Sequence, residues 1–86
     1  MNGKDRDTMN LEIRQVIREY KDAIASPETA PGRIDDLGDN ATILFSKLSY
    51  SPVDYQESCK HRVALIAKLA AELREIVMQQ ENNLSV

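Results

Sequence analysis

Residues 51–80 read SPVDYQESCKHRVALIAKLAAELREIVMQQ, and this stretch decides the fold. It opens with helix-start punctuation. Ser51 reads as an N-cap, Pro52 suits the first helical position, and Asp54 sits where a capping-box acid reaches back. Tyr50 and Tyr55 occupy the two positions of a hydrophobic staple. No Gly or Pro follows Pro52, so the pattern predicts one helix over about residues 51–80, roughly 45 Å long at ~1.5 Å per residue. The rest of so short a chain is not expected to cover that length.

Cys59, Val63, Ile66, Ala70, Leu73 and Val77 form one apolar seam on this helix. Leu65, Leu69 and Ile76 form a second row beside it, and Ala64, Ala67 and Ala71 make a third face that permits close helix approach. One seam can pack on the rest of the chain. The second row then calls for another partner, and a second copy of the same helix is the simplest. The expected interface comprises Val63, Leu65, Ile66, Leu69, Ala70, Leu73, Ile76 and Val77.

Two shorter helices precede it. Ile13, Val16, Ile17, Tyr20 and Ile24 recur at spacings of three and four, with Asp7 or Thr8 as cap and Ser26-Pro27 as stop. After a loop over residues 26–32, Pro31 or Gly32 opens a second helix. Ile34, Leu37, Ala41, Leu44 and Leu48 form its seam, widened by Phe45. Gly38 lies inside it, where a kink with a restart at Asp39 or Asn40 is an alternative. The short connection at 49–51 implies an antiparallel hairpin. The expectation is a single all-α domain over residues 1–86. It is a three-helix antiparallel bundle with helices at about 8–25, 32–49 and 51–80, flexible tails at 1–7 and 81–86, and a dimer formed by the long helix.

Eighty-six residues allow one limited core, for which oligomerisation is a natural supplement. Apolar residues make up 42% and charged residues 29%, which speaks against disorder. The net charge of −3 argues against nucleic acid as a direct partner, because phosphate binding needs a basic footprint. No apolar run reaches the ~18 residues of a membrane span. The polar start Met1-Asn2-Gly3-Lys4-Asp5-Arg6-Asp7 does not read as a secretory signal. The single cysteine excludes an internal disulfide and fits a reducing, cytoplasmic setting. A bacterial, phage or mobile-element source fits this profile.

Chemistry-bearing residues fall mainly into carboxylate pairs. Glu19 with Asp22, and Asp36 with Asp39, are each three apart, so the members of a pair point the same way on a helix. Two such pairs on neighbouring helices suit Mg²⁺, which prefers oxygen ligands. Solvated helix faces carry the same spacing, and both pairs point away from the apolar stripes of their own helices. Glu72 with Glu75 reads as solubilising charge, and Glu57 with His61 as a surface pair. Cys59 has Lys60 and His61 beside it in sequence, yet it falls on the apolar seam and reads as a buried thiol.

Asp36-Leu37-Gly38-Asp39, followed by an apolar helix, resembles the Glu-Leu-Gly-Asp helix of MazG-like all-α nucleoside triphosphate pyrophosphohydrolases. Glu19-Tyr20-Lys21-Asp22-Ala23-Ile24 resembles the helix that precedes it in that family. The likeness spans roughly residues 12–49. The chain departs from the family pattern at Asp22 and Asp36, where Glu is usual, and at Asn40, where an apolar residue is usual. The resemblance implies Mg²⁺, an obligate helical oligomer, and Glu19, Asp22, Asp36 and Asp39 as metal ligands. The implied reaction is cleavage of a nucleoside triphosphate to the monophosphate and pyrophosphate.

Two functions therefore stand side by side. The one favoured is a small non-catalytic helical protein, a homodimer that works by protein–protein association, with no cofactor. It would have an accessory or regulatory role and possible contact with a second protein. The alternative is the Mg²⁺-dependent pyrophosphohydrolase or a degenerate relative.

Overall fold

A computed structural model describes residues 2–84. Three helices, α1 (Gly3–Ala25), α2 (Ala30–Ser49) and α3 (Val53–Leu84), pack against one another. A 3₁₀ turn, Pro27–Thr29, joins the first two. The rod is 53 Å long and 17 Å across. Its length is that of α3, since 32 residues at ~1.5 Å each give about 48 Å.

The first helix starts earlier than its apolar pattern predicts. Asn2, not Asp7 or Thr8, is the cap: its Oδ1 accepts the Asp5 N–H at 2.8 Å, and its backbone is extended. Residues 3–7 are helical rather than frayed because the start of α3 holds them. The Arg6 guanidinium lies 5.2 Å from the centre of the Tyr55 ring and 3.6 Å from Asp54. Met9, one turn on, is buried. The stop at Ala25 is as expected, with the Ser26 N–H bonding to the Asp22 carbonyl.

Ser26-Pro27 does not lead into an irregular loop. Thr29 donates both its N–H and its hydroxyl to the Ser26 carbonyl, at 2.9 and 2.8 Å, which closes a tight turn. Helix α2 therefore begins at Ala30, ahead of Pro31 and Gly32, and Ala30 is fully buried. The helix runs through Gly38 without a restart at Asp39 or Asn40.

The start of α3 corrects the cap reading. The Ser51 hydroxyl donates backward to the Lys47 carbonyl at 3.1 Å, closing α2 rather than opening α3. The Gln56 side chain ties down the link, donating to the Ser51 carbonyl at 2.7 Å. The Pro52 carbonyl accepts the Gln56 N–H at 3.0 Å, so helical bonding begins there. There is no tyrosine staple: Tyr50 is 88% exposed and Tyr55 only 1%. Tyr55 packs inward because a better site exists under α1, where its hydroxyl donates to Asn10 Oδ1 at 2.6 Å. Asp54 turns to Arg6 and makes no capping box. At the other end, α3 continues through Glu81–Leu84, part of the expected tail; Ser85, Val86 and Met1 lie outside the described residues.

The core is one aliphatic column with two tyrosines. Ile13, Val16 and Tyr20 from α1, Leu37, Ala41 and Leu44 from α2, and Ile66, Leu69 and Leu73 from α3 are all buried. Contacts between the helices set their directions. Glu12 meets Lys47 and the Glu19 carbonyl meets Arg33, so α1 and α2 run antiparallel. Arg6 meets Asp54, and the Pro27 carbonyl accepts Gln80 Nε2 at 2.8 Å, so α1 runs parallel to α3 along nearly its whole length. The shortfall expected from the sequence is thus made up. The early start of α1 and the tight turn after it let α1 span α3 from Asp54 to Gln80.

Candidate functional site

The four acids of the metal reading do not come together. Glu19 is half-buried; its Oε1 accepts from Gln15 at 3.3 Å. Asp22, Asp36 and Asp39 are exposed. A groove of about 230 Å³ runs between α1 and α2, but of these four only Glu19 lines it. The other carboxylate there, Glu12, is held by Lys47 Nζ at 3.2 and 3.3 Å. Among the described residues no group of three or more His, Cys, Asp or Glu is placed to hold a metal ion. The i, i+3 spacing aligns each pair on its own helix and does not set how one helix faces the other.

The remaining titratable candidates have structural surroundings. Glu57 pairs with Lys60 at 2.9 Å, and His61 is exposed beside it. Glu75 accepts from Gln79 at 3.4 Å. Cys59 is fully buried, with Ser58 Oγ and Arg62 Nη2 each 3.8 Å from its sulfur. Burial pushes the Tyr55 hydroxyl up to about 12; the adjacent Cys59 adds to the shift, and Arg62 and Arg6 oppose it. Burial also raises Tyr20, against the opposing pull of Arg74.

The expected interface residues divide into three groups. Ile66, Leu69, Leu73 and Val77 are buried inside the chain. Leu69, assigned from spacing to the second, partner-seeking row, is only 7% exposed. That overturns the premise that the whole row needs an outside partner. Leu65 and Ile76 are half-buried, and Ile76 edges a depression shared with Lys68, Ala71, Glu72 and Glu75. Val63 and Ala70 lie on the opposite flank of α3, facing α2.

That flank carries two neighbouring apolar hollows. Phe45 is half-buried and forms a ridge between two lobes. One lobe, about 340 Å³, is bounded by Leu48, Gln56, Lys60 and Val63. The other, about 330 Å³, has a floor of small residues, Gly38, Ala41, Ala67 and Ala70, with Ile34 and Arg74 at its far end. A Cβ added at Gly38 would meet nothing within 4 Å, so this floor is open. From the sequence, the surplus apolar surface looked like a property of α3 alone. The structure shares it between α2 and α3, and the alanines of the third face, with Gly38, were its signal.

Among the described residues no helix is long and apolar enough to cross a membrane. Comparison with protein-family models, with curated proteins and with solved structures finds no match.

Proposed function

We propose that this chain is a non-catalytic helical protein that acts by association, as a homodimer, in an accessory or regulatory role. The observation that carries the reading is the groove between α2 and α3. It is lined by Phe45, Leu48, Val63 and Ile34 and by small side chains, with Gln56, Lys60 and Arg74 among its polar edges. A three-helix rod of this kind buries one core yet keeps an apolar channel suited to a further helix pair. The fully buried thiol and the charged outer surface fit a cytoplasmic setting.

Sedimentation equilibrium tests the homodimer directly. The expected result is a mass near twice 9.7 kDa at tens of micromolar. A single 9.7 kDa species up to 100 µM would sink the reading. The alternative, a MazG-like pyrophosphohydrolase, is supported by the Asp36-Leu37-Gly38-Asp39 likeness and would need a second copy to complete its ligand set. Pyrophosphate release from nucleoside triphosphates with Mg²⁺ would bring that alternative forward.

A further inference from the structure

The groove between α1 and α2 repeats one arrangement and leaves half of the repeat unfilled. Glu12 and Glu19 are seven residues apart on α1, and Lys47 and Asn40 are seven apart on α2. Seven residues are nearly two helical turns, so each helix shows the same face at both positions. The helices run antiparallel, which sets Glu12 opposite Lys47 and Glu19 opposite Asn40. All four side chains line the groove. At the first position Lys47 Nζ reaches both Glu12 oxygens, at 3.2 and 3.3 Å. At the second, about 10 Å along the axis at ~1.5 Å per residue, the side chain facing the carboxylate is a neutral amide.

Glu19 is half-buried, and among the described residues no cation pairs with its carboxylate. Arg33, a further seven residues along α2, donates to the Glu19 backbone carbonyl at 3.4 Å and does not line the groove. The charged walls are Glu12, Glu19 and Lys47, a net −1. A carboxylate drawn partly out of water favours a cation beside it. The surroundings say which kind. Buried Val16 and Leu44 form an apolar floor and exposed Ile43 a wall. The Gln15 amide donates to Glu19 Oε1 at 3.3 Å, which leaves its own oxygen as an acceptor, and Asn40 brings a second amide oxygen. With the carboxylate these make three acceptors, matching the three N–H bonds of an ammonium. The groove holds about 230 Å³, enough for a lysine-sized stem, and is open along its side, so its occupant can stay attached to a larger body.

We propose that this second position is a lysine-binding site. It takes the ammonium of a partner protein's lysine on the Glu19 carboxylate, with the stem on Val16, Ile43 and Leu44, as Lys47 serves Glu12 from within the chain. The site shares no lining residue with the α2–α3 hollows and does not rest on the homodimer reading.

Titration of the full chain with Nα-acetyl-lysine methylamide, followed by ¹H–¹⁵N NMR, reads the site directly. Saturating shifts at residues 15–19 and 40–44 are expected, with a dissociation constant in the millimolar range. The norleucine analogue has the stem without the charge and should give none. Equal shifts from it overturn the proposal, as does a lack of saturation by the lysine amide at about 50 mM. Glu19→Gln keeps the shape and should bind about five-fold more weakly; unchanged affinity overturns the site. Saturation by 1,5-diaminopentane and not by the lysine amide would make a free amine the occupant and overturn the partner assignment. Tighter binding of Mg²⁺ at the same residues would overturn it in favour of a metal. Asn40→Lys supplies the missing cation from within the chain, at an exposed position. It should weaken probe binding and raise the folded-to-unfolded ratio by about two- to five-fold more than it does in a Glu19→Gln background. An equal change in both backgrounds would mean that positions 19 and 40 do not face each other, and overturns the site.

Discussion

The two flanks of α3 are built differently. On the α1 side, polar side chains stitch an apolar seam. Tyr55 donates to Asn10, Arg6 covers the Tyr55 ring and meets Asp54, and Gln80 holds the Pro27 carbonyl at the far end. On the α2 side, half-buried Phe45, Ile34 and Val63 border open lobes over a floor of small residues. Directional bonds need one geometry and give a unique register; apolar contacts over small residues accept a neighbour without specifying it. One flank therefore reads as the fixed joint of the monomer and the other as its open side, the one the proposed association would use.

The largest expected effect breaks the comparison at its joint. Tyr55→Ala removes a ring that is 1% exposed together with its hydrogen bond, and should cost about 3–5 kcal/mol in urea unfolding. Phe45→Ala, on the open flank, should cost about half as much or less in a dilute monomer, because its ring is already part-hydrated. Equal costs would mean the flanks are not distinct.

Alkaline titration sharpens the same contrast. The Tyr55 hydroxyl is raised from 10.0 to about 12, so it stays neutral in the folded chain where the unfolded chain ionises. Its contribution is fully present below pH 10 and is lost as pH rises towards 12, by up to about 3 kcal/mol at ~1.4 kcal/mol per unit. Melting temperature should fall across that window, and less steeply in Tyr55→Phe than in the parent. Identical slopes would place the alkaline sensitivity elsewhere. Smaller again is Gly38→Ala on the α2 side. The helix is continuous there and the added Cβ meets no atom within 4 Å, so thermal melts should show a gain of about 1 kcal/mol. A loss would mean the lobe is already filled. The smallest effect concerns the exposed acids. Millimolar Mg²⁺ or Mn²⁺ should move the melting temperature by less than about one degree, as weak binding well below saturation gives little stabilisation. A shift of several degrees would assign Asp36 and Asp39 a ligand role.

The three helices and their buried seams were legible in the sequence, because a 3.6-residue period records which face of a helix is covered. Ile13, Val16, Tyr20, Leu37, Leu44, Ile66 and Leu73 all lie where their spacing puts them. The ends were less legible. Residues 3–7 look like a polar tail, and what orders them is Arg6 against Tyr55, a contact far removed along the chain. Ser51 had two helices to serve and a hydroxyl that can donate or accept; the last carbonyls of α2 took it. The site was legible only in part. Spacing puts Leu69 at an angle on its helix but does not say on which side a neighbour will lie. For the same reason Glu19 and Asp22 could be aligned with each other and not with Asp36 and Asp39.

Cys59 gives the chain a built-in clock. Its thiol is fully buried one turn from Tyr55, whose hydroxyl bonds to Asn10 across the α1–α3 joint. A thiol reagent in excess can react only during the moments when that joint is open. The labelling rate in plain buffer, divided by the rate for the unfolded chain, then gives the fraction of time the joint spends apart. The free energy of that opening can be measured at physiological temperature, without denaturant and without adding a label to the sequence.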